Sequence, residues 1–406
     1  MSEWRETTLG KLIECGDANL QTGPFGTMFS ASEYCAKGTP VIAVQDIDIN
    51  ALRHDKLLYV NDETTERLKR YRVKTGDIIF ARKGSIDRRA FIKKNEDGWL
   101  QGSDCIRLRL SENIDSRFVS YQFGTDSFKD WIFQFSTGAT MPSLNQDILK
   151  LLPISLTSLP TQRAIAEILS SLDDKIDLLT RQNATLETLA QTYFRQWFVE
   201  GVSEKWEERT LGEFVSCVTG LSYKGEYLQS SLNALVTLKN YERTGGFTRR
   251  GFKEYIGDFK EEHIVKNGDI IVAHTDLTQN GEVVGNVVMI EDDPRYNKLI
   301  LTMDSAKIEP TTNRITKEYL YYLLLNNDFK EYCIGYANGS TVLHLGRKAV
   351  SEYFFRLPPL ELIKSFTIFA QNIIGKKRLN SDQIQTLQKL RDTLLPKLIS
   401  GEVRVK

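Results

Sequence analysis

The sequence contains two copies of one pattern, and this duplication restricts the possible folds more than any other feature. "WRETTLGKLIEC" begins at residue 4 and returns as "WEERTLGEFVSC" at residue 206. "VKTGDII" begins at residue 73 and returns as "VKNGDII" at residue 265, while "STGATMPSL" at residue 136 corresponds to "ANGSTVLHL" at residue 337. Two copies with loops of unequal length indicate a duplicated domain, since a solenoid stacks a longer series of short repeats.

Each copy begins with a globular piece of mixed α/β character. Residues 39–49 and 76–82 are short β-branched runs bounded by turn residues, which predicts strands. Residues 116–136 and 316–335 carry aromatic and aliphatic side chains at helical spacing, which predicts helices.

A long heptad helix follows each globular piece. Residues 161–198 contain neither Gly nor Pro, and apolar residues recur at alternating steps of three and four. This spacing is typical of a coiled-coil seam. The first seam comprises Ile165, Leu169, Leu172, Ile176, Leu179, Asn183, Leu186, Ala190, Tyr193 and Trp197. The second comprises Phe366, Ala370, Ile373, Lys377, Asn380, Ile384, Leu387, Arg391, Leu394 and Leu398.

The seams allow two arrangements of these helices. Each helix could pack on its own globular domain, as most amphipathic helices do. Two heptad helices at equivalent places in a duplicated chain favour mutual pairing instead. In that case Asn183, a polar residue in an apolar seam, would fix the register.

Composition is that of an ordinary soluble protein, and we expect a cytoplasmic location. The 406 residues have a formal net charge of zero, and no apolar run is long enough to span a bilayer. The five cysteines form no CxxC pair, which favours reduced thiols. Net neutrality argues mildly against nucleic-acid binding. Residues 66–94, however, hold a dense basic run that is either a solvated face or a contact surface.

The sequence predicts no catalytic residue, no cofactor and no metal site. It has no GxxxxGK[ST] phosphate loop, no GxGxxG after a strand and no GxSxG elbow. The four histidines show no HExxH spacing. The acidic residues of "DDKID" at 173–177 lie on a heptad helix, where solvated charge is the better explanation.

Several motifs in order resemble the specificity subunit of type I restriction–modification enzymes over essentially the whole chain. The matching segments are the repeated "WRETTLGKL" and "WEERTLGEF", "QTGPFGT" at 21–27, "GDIIFARKGS" at 76–85, "TGATMPSL" at 137–144, "LPTQRAIAEILSSLDDKID" at 159–177 and "LLPKLISGEVRV" at 394–405. No single motif is decisive, but their order and duplication make the signal specific.

The resemblance implies two α/β (α+β) target recognition domains related by an internal pseudo-twofold repeat, with two long helices that pair as an antiparallel coiled coil. On this basis we divide the chain into recognition domains at 1–157 and 201–357, a first helix at 158–200, and a second helix with its tail at 358–406. In an antiparallel pair, Asn183 would face Lys377 and Asn380.

The same resemblance implies a non-catalytic DNA-binding subunit. Each domain would read one half of a split site on double-stranded DNA, and the helices would space the domains and dock two modification subunits. Those subunits would methylate adenine, while restriction subunits joined through the complex would translocate and cleave DNA. A stand-alone DNA-binding repressor and a coiled-coil scaffold that binds only protein are the alternatives.

We expect base contacts in the loops that differ between the copies, since arginine and lysine suit guanine, and asparagine and glutamine suit adenine. The loops at 21–27, 137–140 and 338–341 are expected to approach phosphate through backbone N–H groups. In the first domain the expected contacts are Gln21, Thr22, Gly23, Arg82, Lys83, Arg88, Arg89, Thr137 and Thr140. In the second they are Lys239, Arg249, Arg250, His274, Thr275, Gln279, Asn280, Ser340 and Thr341.

Overall fold

The computed structural model describes residues 4–25, 28–136, 142–242, 245–276, 281–339, 342–346 and 348–405. The chain divides into two compact units. Unit 1 comprises residues 1–178 and 384–406, and unit 2 comprises residues 179–383. Each unit therefore combines one globular piece with part of both long helices.

The strands of unit 1 are β1 (Arg5–Thr8), β2 (Ala18–Thr22), β3 (Tyr34–Cys35), β4 (Thr39–Ile42), β5 (Leu58–Val60), β6 (Ile78–Ala81), β7 (Arg89–Phe91), β8 (Leu100–Gln101), β9 (Cys105–Leu110) and β10 (Pro153–Leu156). Its helices are α1 (Leu9–Glu14), α2 (Asp62–Arg67), α3 (Ser116–Gln122), α4 (Asp126–Phe135), α5 (Gln146–Lys150) and the start of α6 (Leu159–Arg195).

Two four-stranded sheets form the scaffold of unit 1. The first has the order β2-β9-β6-β7 and is antiparallel throughout. The second has the order β3-β5-β4-β8, and its β4 and β8 are parallel. Strand β6 is buried on both faces. Ile78 and Phe80 pack towards the helices, while Ile79 and Ala81 pack with Ile42 in a second core.

The strands of unit 2 are β11 (Glu208–Thr210), β12 (Val215–Thr219), β13 (Asn233–Val236), β14 (Lys253–Glu254), β15 (Ile264–Val265), β16 (Ile270–Ala273), β17 (Thr275–Asp276), β18 (Val287–Met289), β19 (Lys298–Leu301), β20 (Ser305–Pro310), β21 (Ala337–Asn338), β22 (Leu343–Leu345) and β23 (Phe354–Arg356). Its helices are the end of α6, α7 (Lys317–Leu325), α8 (Asn327–Tyr336), α9 (Ala349–Glu352) and most of α10 (Leu360–Ile399).

Unit 2 repeats the architecture of unit 1. Its main sheet has the order β12-β20-β16-β18, which matches β2-β9-β6-β7 strand for strand. Its second sheet has the order β14-β13-β19-β15 and again contains one parallel pair, β13 with β19, which is central here and at the edge in unit 1. A separate three-stranded sheet of unit 2 has the order β17-β22-β21. The mixed α/β class and the duplicated domain predicted from the sequence are confirmed.

Three local predictions were too simple. The strand predicted over 39–49 is only β4, and its continuation is a short 3₁₀ turn. The helix predicted over 116–136 is two helices, because Thr125 interrupts it and caps α4 by accepting a hydrogen bond from Phe128 N. The segment 316–335 is likewise divided into α7 and α8.

Within each unit, the segments of both long helices pack on the globular core of that unit. In unit 1, Ile165 and Leu169 of α6 and Leu398 of α10 join the core that includes Phe118. In unit 2, Phe194 of α6 and Phe366 of α10 join the other core, with their ring centroids 5.4 Å apart. Packing on a globular domain, one of the two arrangements left open by the sequence, is therefore present.

Mutual antiparallel pairing of the helices is also present. In unit 1, Asp173 Oδ1 accepts a hydrogen bond from Arg391 Nη1 at 2.8 Å. In unit 2, Lys377 forms an ion pair with Glu187. As the residue number rises along α6, the number of its partner on α10 falls, so the predicted antiparallel coiled coil is confirmed.

The predicted polar layer lies within unit 2. Asn380 is only 1% exposed, and its Nδ2 donates to Asn183 Oδ1 at 2.8 Å and to Gln182 Oε1 at 2.9 Å. Asn183 Nδ2 donates in turn to Lys377 O at 3.3 Å. Asn183 therefore faces both residues that the antiparallel register predicted.

Most of the remaining seam positions are shielded from solvent, as expected where two helices pack together. Those that are buried or half-buried are Ile165, Leu169, Leu172, Ile176, Leu179, Leu186, Phe366, Ile373, Lys377, Ile384, Leu387 and Leu394. Tyr193 is 38% exposed and packs beside Phe369. No helix among the described residues is long and apolar enough to cross a membrane.

We predict that Asn183→Leu lowers the midpoint of thermal unfolding. The leucine would leave the buried Asn380 amide one hydrogen bond short, at a cost of about 1 kcal/mol. The double variant Asn183→Leu with Asn380→Leu should recover or exceed the wild-type midpoint, since an apolar layer removes both unsatisfied groups. Thr185→Ala, at an exposed position of α6, is the control. A single variant as stable as the wild type would show that the layer contributes nothing to stability.

Candidate nucleic-acid interface

Four loops of unit 1 meet through backbone hydrogen bonds at one end of the two sheets. Gly102 N donates to Ile42 O at 3.0 Å, and Gly23 N donates to Cys105 O at 3.0 Å. Arg82 supplies the other two bonds. Its N–H donates to Asp104 O at 2.9 Å, and its carbonyl accepts from Leu144 N at 2.8 Å. We call these four bonds the loop frame.

Unit 2 has the same loop frame. Thr302 N donates to Val236 O at 3.2 Å, and Gly220 N donates to Ser305 O at 3.1 Å. His274 N donates to Asp304 O and His274 O accepts from Leu345 N, both at 2.7 Å. His274 thus occupies the place of Arg82, and the loop segments predicted from the repeat converge in both units.

Glycines permit the close approach of two of these loops. A Cβ on Gly23 would lie 1.8 Å from Gly102 O, and a Cβ on Gly220 would lie 2.4 Å from Leu301 O. In unit 1 the fully buried Gln101 supports the same contact, because its Nε2 donates to Gln21 O at 2.7 Å and to Cys105 O at 2.9 Å. Gly23 therefore has a structural role in the frame.

Basic side chains surround the frame of unit 1. Lys83 is half exposed, and its Nζ lies 3.4 Å from Asp104 Oδ1. Arg82 and Arg88 are half-buried, and neither guanidinium forms a hydrogen bond or ion pair with the residues that the structure describes. These three cations can turn towards an anionic ligand without first breaking a strong internal contact.

Other predicted contacts of unit 1 are engaged inside the protein. Arg89 is 3% exposed, its Nε donates to Ser120 O at 2.8 Å, and burial lowers its pKa to about 10. Gln21 Oε1 accepts from Arg107, and Thr22 Oγ1 accepts from Gln146 Nε2 at 3.0 Å. The solvent-facing role expected for Arg89 does not fit this burial, because its guanidinium is enclosed beside Ser120 and Gly124.

The basic run at 66–94 is not one continuous surface. Arg67 pairs with Glu33, and Lys69 pairs with Glu66 at 2.8 Å. Arg89 is enclosed, whereas Arg82 and Lys83 border the loop frame. Part of the run is therefore taken up by contacts within the protein, and another part borders the loop frame.

The predicted contacts His274 and Thr275 of unit 2 also lie mostly inside. His274 is 8% exposed, and burial lowers its pKa to about 4, so its ring is neutral near pH 7. Its Nε2 has no partner among the described residues. Thr275 is 7% exposed, and its Oγ1 donates to Asp304 Oδ1 at 2.9 Å. Both predicted contacts are therefore largely shielded from solvent.

The other basic residues predicted to contact DNA in unit 2 lie on a turn next to the loop frame. Lys239 and Arg250 are exposed, and close packing of Gly251 against the backbone of Lys239 brings their segments together. Arg249 points inwards instead, towards Glu291 at 3.3 Å and Asp382 at 3.4 Å. Of the three, Lys239 and Arg250 are available at the surface.

Six predicted contacts lie outside the described residues. They are Thr137, Thr140, Gln279, Asn280, Ser340 and Thr341.

Sequence reasoning missed one repeated residue of the frame. Asp104 and Asp304 occupy equivalent places in the two frames, and their backbone carbonyls accept hydrogen bonds from Arg82 N and His274 N. The carboxylate of Asp104 lies near Lys83 Nζ, and that of Asp304 accepts a hydrogen bond from Thr275 Oγ1. The signal was present in "SDCIRL" at 103–108 and "MDSAKI" at 303–308, which share this Asp. Met303, which is 52% exposed, and His344 on β22 are further exposed side chains near the frame of unit 2.

The arrangement is suited to binding. It places basic side chains at loop tips, and such side chains contact phosphate and base edges in complexes with nucleic acids. No cluster of three or more His, Cys, Asp or Glu residues that could hold a metal ion occurs in the described ranges.

Comparisons with known proteins agree with this picture. The family model described as "Type I restriction modification DNA specificity domain" matches residues 1–188 and again residues 203–389. The specificity subunit of the type I restriction enzyme HindI from Haemophilus influenzae is 23% identical, over 99% of this chain and 100% of that protein. The MjaIX specificity subunit from Methanocaldococcus jannaschii is 24% identical, over 73% of this chain and 71% of that protein.

A solved structure has the same fold. It is that of a type I restriction–modification S subunit from M. genitalium, with a TM-score of 0.59 and 20% identity, covering 98% of this chain and 96% of the other. Because the family model matches both halves of the sequence, the chain belongs to the type I restriction modification DNA specificity domain family.

Proposed function

We propose that this chain is the DNA-specificity subunit of a type I restriction–modification complex, with each globular domain reading one half of a split site. One observation carries the proposal. The same four-bond loop frame occurs in both units, while the side chains on it differ. A protein that reads two different half-sites needs the same scaffold in both domains and different side chains at the tips of the loops.

The tips of the two units differ in charge. Arg82, Lys83 and Arg88 in unit 1 are suited to guanine acceptors and to phosphate. Unit 2 places the buried, neutral His274 at the corresponding frame position, and its exposed cations Lys239 and Arg250 lie on another turn. The two half-sites should therefore differ in sequence.

The chemistry would belong to partner subunits. In this proposal modification subunits methylate adenine, restriction subunits translocate and cleave DNA, and the chain supplies the sequence preference. The recognition domains would comprise residues 1–157 and 201–357. The helices at 158–200 and 358–406 would dock two modification subunits.

Exposed apolar side chains on the helices support the docking role. In unit 2, Ile368 is 65% exposed and Leu379 is 66% exposed on α10, and Leu189 is 40% exposed on α6. Apolar residues left exposed on a paired helix are suited to contact with another protein.

An electrophoretic mobility shift experiment separates the candidate functions. The purified chain should bind its DNA site weakly alone and tightly with modification subunits, because the net charge of zero provides little electrostatic attraction by itself. Tight specific binding without partners would support a repressor. No DNA binding in either case would support a protein-only scaffold.

We predict that Arg82→Ala with Arg88→Ala weakens binding of the assembled complex to its site by about tenfold or more. The salt dependence of the affinity should also become shallower, by about 0.9 in log–log slope for each phosphate group that the protein no longer neutralises. The control is Lys11→Ala with Lys129→Ala, which removes the same charge from helices α1 and α4. Equal affinity and salt slope in wild type and variant would restrict Arg82 and Arg88 to a solvated face.

We predict that Ile368→Asp with Leu379→Asp prevents assembly with modification subunits and leaves the fold intact. Both positions are mostly exposed, so new carboxylates cost little in the free chain but would be desolvated at an interface. Co-purification and thermal unfolding measure the two effects. Ile256→Asp, at a 50% exposed position of the globular part of unit 2, is the control. Normal assembly of the double variant would exclude this surface from docking.

A further inference from the structure

The connection that follows the central strand differs most between the two units. In unit 1 the connection from β6 to β7 covers residues 82–88, whereas in unit 2 the chain between β16 and β18 covers residues 274–286. The longer segment contains β17 and then returns to the sheet through residues 281–286, which we call the returning limb. Gln279 and Asn280, predicted to read adenine, precede this limb and lie outside the described residues.

A buried carboxylate holds the returning limb from one side. Asp276, on β17, is 0% exposed. Its Oδ2 accepts hydrogen bonds from Val283 N at 2.5 Å and from Val284 N at 3.1 Å. Hydrogen bonds to a charged group are stronger than those between neutral groups, so these two bonds hold the middle of the limb in place.

A half-buried ammonium holds the same limb from helix α8. Lys330 Nζ donates to Val284 O at 2.5 Å, to Asn286 Oδ1 at 2.7 Å and to Glu282 O at 3.3 Å. Burial lowers the pKa of Lys330, and the nearby charge of Asp276 opposes that shift.

Close packing on α8 completes the attachment. Gly285 has φ +76°, and a Cβ there would lie 2.5 Å from Cys333 Cβ. The returning limb therefore lies against the helix at a distance that only glycine permits.

The corresponding lysine of unit 1 forms an ion pair within its own helix instead. Lys129 occupies on α4 the place that Lys330 occupies on α8, and its Nζ pairs with Asp126 at 2.9 Å on the surface. Gly84 stands near the place of Asp276. The two charged anchors accompany the longer connection and have no counterpart at these positions of unit 1.

We propose that Asp276 and Lys330 are positioning residues, a clamp that holds the returning limb in the geometry with which unit 2 reads its half of the DNA site. This inference rests on the proposed function. A base-reading group must be held within about 0.5 Å of its working position, and a long connection without anchors does not meet that requirement. The clamp acts through the backbone of the limb and touches no base itself.

The test uses the full chain co-expressed with its modification subunits, and the readout is the methylated motif in the host genome. Lys330→Met keeps the length of the side chain but removes the three donated hydrogen bonds. We expect discrimination at one or more bases of a single half-site to fall by about tenfold or more, with the other half-site unchanged. The affected half-site must differ from the one altered by Arg82→Ala with Arg88→Ala. Lys330→Arg should retain most of the discrimination, and Lys129→Met should behave as wild type.

Several outcomes would overturn the clamp. A Lys330→Met variant that reads both half-sites as the wild type does would exclude a positioning role. Equal loss of discrimination at the two half-sites would exclude it as well. If Lys330→Met is unfolded at the assay temperature, the same comparison is made by methylation of DNA in vitro at a lower temperature at which the variant is folded. A wild-type complex that methylates no split motif would contradict the proposed function. An unchanged motif in Lys330→Met would contradict the clamp alone.

Discussion

Main-chain hydrogen bonding among four loops is the constraint on which the candidate interface of each unit depends. Arg82 and His274 each use both backbone groups to join two other loops. These bonds are satisfied by peptide groups and place no demand on the side chain at either position. The loops can therefore meet in one geometry while an arginine projects from one frame and a histidine packs beneath the other.

Burial then decides which charged side chains remain available to a ligand. Arg89 and Arg249 lie close in sequence to Arg88 and Arg250, yet their guanidinium groups are turned inwards, to Ser120 O and to Glu291. A cation taken out of water needs such partners because desolvation of an unpaired charge is costly. Neighbouring arginines therefore divide between support of the fold and exposure at the surface.

Much of the architecture could be predicted from the sequence because it arises from repetition and periodicity. Repeated motifs indicated the duplicated α/β domain, and the heptad positions indicated a seam on each long helix. The antiparallel direction was implied by the resemblance to the family, and it placed Asn183 near Asn380, to which it is hydrogen-bonded. Side-chain direction could not be predicted in the same way. Arg88 and Arg89 are adjacent, and only their places before and within β7 separate a half-exposed side chain from an enclosed one. The role of Lys330 depends on a contact between distant segments that no local pattern records.

The polar layer between the helices also decides which helices can be partners. Asn183 and Asn380 are not equivalent in the repeat, since the residue of α6 that corresponds to Asn380 is Leu179. If α6 met a second copy of itself in the same register, Asn183 would face Leu179, and Glu187 would face Ile176. A buried amide and a carboxylate would then be left without partners, at a cost of several kcal/mol. The seam thus favours pairing of α6 with α10 over pairing of α6 with a second copy of itself.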